Sequence, residues 1–247
     1  LESLNLFGTA TTAPFTARQQ GFAAVRRYYA QLALGSVTCT KLKAVIMGKG
    51  TAGKTSLVRA LQALEVGGGQ RPNLPELDDR TIGVEMTLLF DTFAVHDFGG
   101  QPEYYPWHKL FLSREALYLL VADLSEGVDE CVAALEEQLS ILSASVPGAV
   151  VLVVLTKTDL VVAGGAEGAA SSSSSSAAEE EVRSRVVDVE RRLIEWCDGR
   201  RLRRKEGGFE ESNDETATSS STPHIQFPIL CASSVTQEGI TAVRDRM

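Results

Sequence analysis

Cysteine and histidine are scarce in this chain of 247 residues, which has four of the first and three of the second. Cys39, Cys131, Cys197 and Cys231 stand far apart with no C-x-x-C pair. That spacing argues against a zinc site or a disulfide framework and suits reduced thiols. Positive charge is also short. A formal net charge of −8 leaves no broad basic footprint for nucleic acid. No apolar run reaches the length of a membrane span, and no charged-then-apolar secretory start is present. A cytoplasmic protein is therefore expected. The chain begins at Leu1 and stops at Arg244-Asp245-Arg246-Met247, in the opening of a helical pattern, so a piece of a longer protein is expected.

What the chain does have is apolar content, at 44%, and a length that fits one good-sized domain with attachments. LESLNLFGTATTAPF opens with alternating leucines and then turn chemistry. ARQQGFAAVRRYYAQLALG places Phe22, Val25, Tyr29, Leu32 and Leu34 at near-helical spacing, with Gly35 as a stop. KLKAVIM is a short β-rich run that ends at Gly48-Lys49-Gly50, and SLVRALQALEV restores helical periodicity. VEMTLLF (84–90) and TFAVHDF (92–98) read as a hairpin turning at Asp91. ALYLLVAD (116–123), AVVLVVLT (149–156) and HIQFPILCA (224–232) are further strands, with a helical pattern over about 128–144 and a last helix opening at Gly239. Buried strands alternating with helices predict an α/β domain: a mostly parallel six-stranded sheet with one antiparallel edge strand and helices on both faces.

Two stretches break the pattern. Residues 163–178, with six consecutive serines, and 206–222, acidic and Ser/Thr-rich, carry too little apolar surface to offset chain entropy and read as disordered insertions. Between them, EEEVRSRVVDVERRLIEWCDGRRLRRK predicts an amphipathic helix with acid at its start and base at its end. Its basic cluster, Arg200, Arg201, Arg203, Arg204 and Lys205, reads as a solvated helix end.

The chemistry begins at Gly48-Lys49-Gly50-Thr51-Ala52-Gly53-Lys54-Thr55, a match to G-x-x-x-x-G-K-[ST] between a predicted strand and helix, the context this phosphate-binding loop requires. Its backbone N–H groups, with Ser56 next in line, cradle phosphate oxygens at a helix N-terminus. Lys54 reaches the outer phosphates and Thr55 offers a hydroxyl to Mg²⁺. DFGGQ (97–101) admits two chemistries, since Asp-Phe-Gly also holds magnesium in protein kinases. A kinase needs H-R-D upstream, and none of His96, His108 and His224 is followed by Arg-Asp. The other reading has Asp97 on the magnesium side, Gly100 presenting its N–H to a γ-phosphate and Gln101 orienting the attacking water.

Thr81 is the one Ser or Thr between Val66 and Gly83, which points to it as the hydroxyl a mobile loop gives to magnesium; Arg80 beside it reads as a solvent-facing arginine. Thr156-Lys157-Thr158-Asp159 sits at a strand end, where ligands bind in open α/β sheets. A carboxylate at Asp159 can accept from guanine N1–H and the 2-amino group, a donor pair adenine lacks, while Lys157 lays its stem over the base. Cys231-Ala232-Ser233 ends the last strand and offers backbone N–H groups to the base. An ATP-binding P-loop enzyme remains the alternative if Asp159 does not read the base.

These elements in this order resemble the Ras-like small GTPase superfamily over about residues 40–247, and within it the Roc (Ras-of-complex) domain of Roco proteins. DFGGQPEYYPWHKLFLSREALYLLVADLS is similar to the Roc switch II and following strand, and R-T-I-G-V to its switch I. The first fifteen residues resemble the tail of a leucine-rich repeat, and residues 16–39 the linker helix that follows. The resemblance implies a Ras-like P-loop fold and a switch that binds GTP or GDP with Mg²⁺ and slowly hydrolyses GTP. It also implies as partners the leucine-rich repeats, a COR-type domain beyond the chain, and a homodimer through that missing region. The rival class is a constitutive nucleotide-binding scaffold, in which Tyr104-Tyr105-Pro106-Trp107 anchors neighbouring domains.

Overall fold

A computed structural model describes residues 22–33, 41–67, 72–75, 81–101, 111–164, 174–206 and 222–247. The chain divides into two units, Leu1–Thr40 and Lys41–Met247. Within the first, α1 (Phe22–Ala33) carries the expected helical periodicity. Val25 is its buried residue, whereas Phe22 and Tyr29 are exposed. The leucine-rich opening lies outside the described residues.

The second unit is built on six strands: β1 (Leu42–Met47), β2 (Val84–Leu89), β3 (Phe93–Phe98), β4 (Ala116–Asp123), β5 (Val150–Thr156) and β6 (His224–Cys231). Their order in the sheet is β2-β3-β1-β4-β5-β6. All neighbours are parallel except β2 and β3, which pair antiparallel at the edge. The helices are α2 (Lys54–Glu65), α3 (Val128–Ser145), α4 (Thr158–Gly164), α5 (Ser174–Glu206) and α6 (Ile240–Arg246). A 3-10 turn, Leu124–Glu126, joins β4 to α3.

Alternation in the strands explains the layering. Val45 and Met47 of β1 face one side with Tyr118, Leu120, Val151 and Val153, packed under Leu135 and Leu139 of α3 and Val189 and Leu193 of α5. Ala44 and Ile46 face the other with Leu119, Val121, Leu152 and Val154, packed under Leu57 and Leu61 of α2 and Ile240 and Val243 of α6. Both faces being buried is why β4 and β5 are continuously apolar in sequence rather than alternating. Each fully buried Leu or Ile adds about 1.5–3 kcal/mol relative to exposure, so the central strands are the most firmly held part of the domain.

Two sequence expectations change. The β2–β3 turn uses Phe90 as well as Asp91, both at positive φ of 52 and 49, with Thr92 N–H donating to Leu89 O at 3.1 Å. Positive φ at both central residues is the two-residue geometry that matches strand twist. The serine-rich insertion is also shorter than expected: α4 runs to Gly164 and α5 begins at Ser174. Ala178 is buried, so an alanine that composition assigned to an insertion is a packing residue, and the helix is extended N-terminally by that contact. The acids at 179–181 thus fall after the first turn, which has none. The side chains of the basic cluster at 200–205, and the segment 207–221, lie outside the described residues.

Candidate functional site

The C-terminal ends of β1, β3, β4, β5 and β6 lie at one edge of the sheet, and the start of the antiparallel β2 lies at the same edge, so the segments at these ends carry the polar motifs found in the sequence. β1 ends at Met47 and the chain turns at once through Gly48. The turn is tight because a Cβ on Gly48, at φ 153, would lie 2.2 Å from the Val121 carbonyl oxygen of β4. Gly53, at φ 84, precedes the first residue of α2, so the loop 48–53 opens directly onto a helix N-terminus. There the first N–H groups have no helical partner and favour an anion.

Lys54 is 6% exposed. Its ammonium donates to Gly48 O at 2.9 Å and Lys49 O at 2.8 Å, within the loop itself. Burial lowers its pKa to about 8, against the opposing pull of Asp97. Gly100 packs onto the same loop: a Cβ there would lie 2.3 Å from Lys54 Nζ, 2.6 Å from Gly50 N and 2.7 Å from Lys49 C. Only glycine fits that approach.

Thr55, Thr81 and Asp97 meet, although they come from a helix start, a loop and a strand. Thr55 Oγ1 lies 2.8 Å from Thr81 Oγ1 and donates to Asp97 Oδ2 at 2.6 Å. Gly99 N–H donates to Gly83 O at 2.9 Å, which extends the β2–β3 pairing past its last residues and carries Thr81 towards the other two. Burial raises the Asp97 pKa, with Thr55, Lys54 and Thr81 pulling the other way and Glu85 adding to the rise. Asp97 Oδ1 is buried with no hydrogen-bond partner. An unmatched carboxylate oxygen beside two hydroxyls is a hard-oxygen set, the kind a hydrated Mg²⁺ completes with phosphate. The residues present fit the ion.

Gln101 follows Gly100 and is half-buried. Tyr104-Tyr105-Pro106-Trp107 and Arg80 lie outside the described residues.

Two strands away from β1 in the sheet, Thr156 closes β5. Its hydroxyl lies 2.6 Å from Ala52 O and 3.1 Å from Ala122 O, tying the Thr156–Asp159 segment to the 48–53 loop and to β4. Lys157 has φ 58, and its ammonium pairs with Asp123 Oδ2 at 2.6 Å. Asp159, in the first turn of α4, accepts from Ser233 Oγ at 2.6 Å. Ser233 is fully buried, and its Oγ also accepts from Thr236 N–H at 3.1 Å. Ala232 N–H is already used, donating to Leu155 O at 2.8 Å. Ser233 N–H likewise donates, to Glu238 O at 3.0 Å. The expectation that these two N–H groups face a base is therefore replaced: the Ser233 side chain, by holding Asp159, is what this segment brings to the cleft. Cys231 lies at the end of β6 with its thiol pKa raised by burial to about 11, a packing side chain rather than a reactive one.

Two contacts were not readable from the motifs. Asp123 pairs with Lys157, and Glu126 Oε2 pairs with Lys49 Nζ at 2.9 Å. Asp123 ends β4 and Glu126 closes the 3-10 turn that follows, and the signal for them was the polar DLSE at the end of an apolar strand.

A glycine-lined phosphate loop, an oxygen triad and an acid at a β-strand end on a β2-β3-β1-β4-β5-β6 sheet define a P-loop nucleotide-binding domain of Ras-like architecture. Residues 43–159 match the family described as "Ras of Complex, Roc, domain of DAPkinase", so this stretch of the chain is similar to a Roc domain. Among its relatives, leucine-rich repeat serine/threonine-protein kinase 1 of Mus musculus is 28% identical over 171 residues, covering 65% of this chain and 8% of that protein. The protein of the same description in Caenorhabditis elegans is 41% identical over 69 residues, 28% of this chain and 3% of that one. The Roc-COR-CHAT protease of Runella zeae is 31% identical over 103 residues, 35% of this chain and 10% of the relative. The chain thus spans a tenth or less of the length of each of these relatives. The solved Roco2 RocCORdC of Methanosarcina barkeri, bound to GDP, aligns with a TM-score of 0.44 and 21% identity over 87% of this chain and 51% of that one.

Proposed function

We propose that this domain is a guanine-nucleotide switch that binds GTP with Mg²⁺ and slowly hydrolyses it to GDP and phosphate. The observation that carries the reading is the meeting of Thr55, Thr81 and Asp97 beside Lys54 and Gly100 at the mouth of one phosphate loop. Five sequence positions spread over 47 residues serve no common packing purpose, yet they surround one point. Among the described residues no three His, Cys, Asp or Glu side chains group to hold a metal, so the ion would rely on two hydroxyls, one carboxylate and the phosphates.

The loop 48–55 and Ser56 receive the phosphates through backbone N–H groups. Lys54 exchanges its two loop carbonyls for phosphate oxygens, a stronger, charge-assisted partner. Thr55, Thr81 and Asp97 would hold Mg²⁺, which would supply neutralisation of charge on the phosphates. Gly100 offers its N–H to the γ-phosphate and Gln101 orients the water. Asp159, fixed by Ser233, accepts from guanine, and Lys157 covers the base. Loss of the γ-phosphate would leave Gly100 without its acceptor and weaken the Mg²⁺ site that Thr81 completes, so the segments bearing them would separate from the loop, an order change a neighbouring domain can read. Without a catalytic arginine supplied to the phosphates, intrinsic turnover is expected to be slow.

In this reading the switch regulates a larger cytoplasmic Roco protein, with leucine-rich repeats before it, a COR-type domain after it, and a homodimer formed through that later region. The names of two relatives, one a leucine-rich repeat kinase and one a Roc-COR-CHAT protease, support the repeats and the COR-type domain as neighbours. The four cysteines fit a reducing compartment, and no helix among the described residues is long and apolar enough to cross a membrane. Single-turnover assay of the isolated domain with Mg²⁺ tests the switch. Phosphate release over minutes to hours is expected; tight GTP binding with no release overnight would make the domain a constitutive scaffold instead.

A further inference from the structure

Asp123 lies outside every motif that placed the nucleotide, yet it is bonded directly to one of the residues in the base-reading loop. It is the last residue of β4, is 7% exposed, and stands opposite Thr156 in the parallel β4–β5 ladder. Its two oxygens have separate tasks. Oδ1 accepts from Ser125 N–H at 2.9 Å and from Ser125 Oγ at 2.6 Å, which caps the 3-10 turn. Oδ2 accepts from Lys157 Nζ at 2.6 Å. The Asp123 backbone is held as well, its carbonyl accepting from the buried Cys131 thiol at 2.9 Å. The turn it begins is held by Arg185 of α5, which donates to Leu124 O at 3.3 Å. The acid is thus a fixed point, while Lys157 is a long side chain on a residue in the left-handed region, at φ 58.

We propose that Asp123 is a positioning residue for base recognition: it anchors the Lys157 ammonium so that the lysine stem is already laid across the plane that the base occupies. The proposal rests on the guanine reading of Asp159 and Lys157 above. A free lysine must lose its rotamer freedom when a ligand arrives, and a lysine already held by a buried carboxylate does not, so the anchor strengthens binding without touching the ligand. The pair is part-buried, with 6% of the Asp123 side chain and 33% of the Lys157 side chain exposed. It is therefore screened less than a surface pair. Because the anchor acts on the base and not on the phosphates, it alters GDP and GTP affinity alike and leaves the hydrolytic step alone.

Asp123→Asn is the informative change, since the amide oxygen still caps Ser125 while the NH₂ group faces the lysine as a second donor. Fluorescent-GDP titration with Mg²⁺ should show affinity falling about tenfold in Asp123→Asn, the scale found when a group that orients a ligand-binding side chain is removed. Lys157→Ala should fall at least as far, and the double variant should match Lys157→Ala within about twofold, the signature of two residues acting as one unit. The single-turnover rate constant at saturating GTP should stay within about twofold of the parent in Asp123→Asn. A further tenfold loss on adding Asp123→Asn to Lys157→Ala would overturn the proposal, as would an unchanged affinity in Asp123→Asn alone. Competition of GDP against ADP on the parent protein separates the two levels. Equal competition defeats the guanine reading itself, whereas a strong GDP preference with additive losses defeats only the role of Asp123.

Discussion

Replacing Thr156 with Val keeps the shape of the side chain and removes one hydroxyl. That hydroxyl has a single proton and two carbonyls in reach, Ala52 O at 2.6 Å and Ala122 O at 3.1 Å, so the shorter bond takes the proton and the longer one is its weak branch. Thr156 is 2% exposed, so water cannot replace the lost donor. The hydrogen bond itself is worth about 1 kcal/mol net, and leaving the Ala52 carbonyl unmatched adds roughly 1–2 kcal/mol. Thr156→Val should therefore destabilise the domain by about 2–3 kcal/mol, seen as a lower urea midpoint with unchanged slope. Because Ala52 belongs to the phosphate loop, GDP affinity should fall too, while Thr156→Ser should restore both. A Val variant within about 0.5 kcal/mol of the parent, the range of ordinary surface changes, would refute the claim that this hydroxyl ties the base-reading strand to the phosphate loop.

Gly100→Ala puts a methyl group against Gly50 N and Lys49 C, backbone that cannot swing aside; overpacking of this kind costs roughly 1–3 kcal/mol. GTP affinity measured by competition should drop about tenfold, with GDP affected less, if the glycine serves the γ-phosphate as proposed. Gln101→Leu should bind GTP as the parent does and release phosphate on the order of a hundredfold more slowly, the cost of a misplaced reactant, in a single-turnover assay. Lys54 titrates near 8 in the free domain and stays charged against phosphate, so binding takes up a proton as pH rises. GDP affinity should fall about fourfold between pH 7 and 8.5, while guanosine, which has no phosphate, should not follow. The stability of the free domain carries the opposite sign. Between 8 and the ordinary lysine value of 10.5, the unfolded chain binds more protons, so this group's contribution to stability rises with pH across that window.

The sheet was legible because its strands are buried on both faces and announce themselves as apolar runs with punctuating glycines. ALYLLVAD and AVVLVVLT gave strands whose bounds moved by at most one residue. The start of α5 was not legible, since serine and alanine composition says nothing about whether Ala178 finds a core to pack into. At the site, motif spacing located the residues that the structure gathers at one end of the sheet. It missed the links between the motifs. The Lys157–Asp123 and Lys49–Glu126 pairs join residues 34 and 77 positions apart, and no periodicity encodes such a pairing. The Cys231-Ala232-Ser233 segment shows the same limit from the other side. Its place at the same end of the sheet as Asp159 was readable from strand order, but not that its backbone donors are spent on Leu155 and Glu238.

The central claim is that a guanine nucleotide occupies this cleft, and its most direct test is displacement of bound fluorescent GDP by unlabelled GTP and ATP in the presence of Mg²⁺, on the parent and on Asp159→Asn. A carboxylate that matches guanine donors and opposes adenine predicts ATP at least about a hundredfold weaker than GTP on the parent, and a collapse of GTP affinity in Asp159→Asn. ATP displacing the label as well as GTP does, with no change on replacing Asp159, would contradict the account.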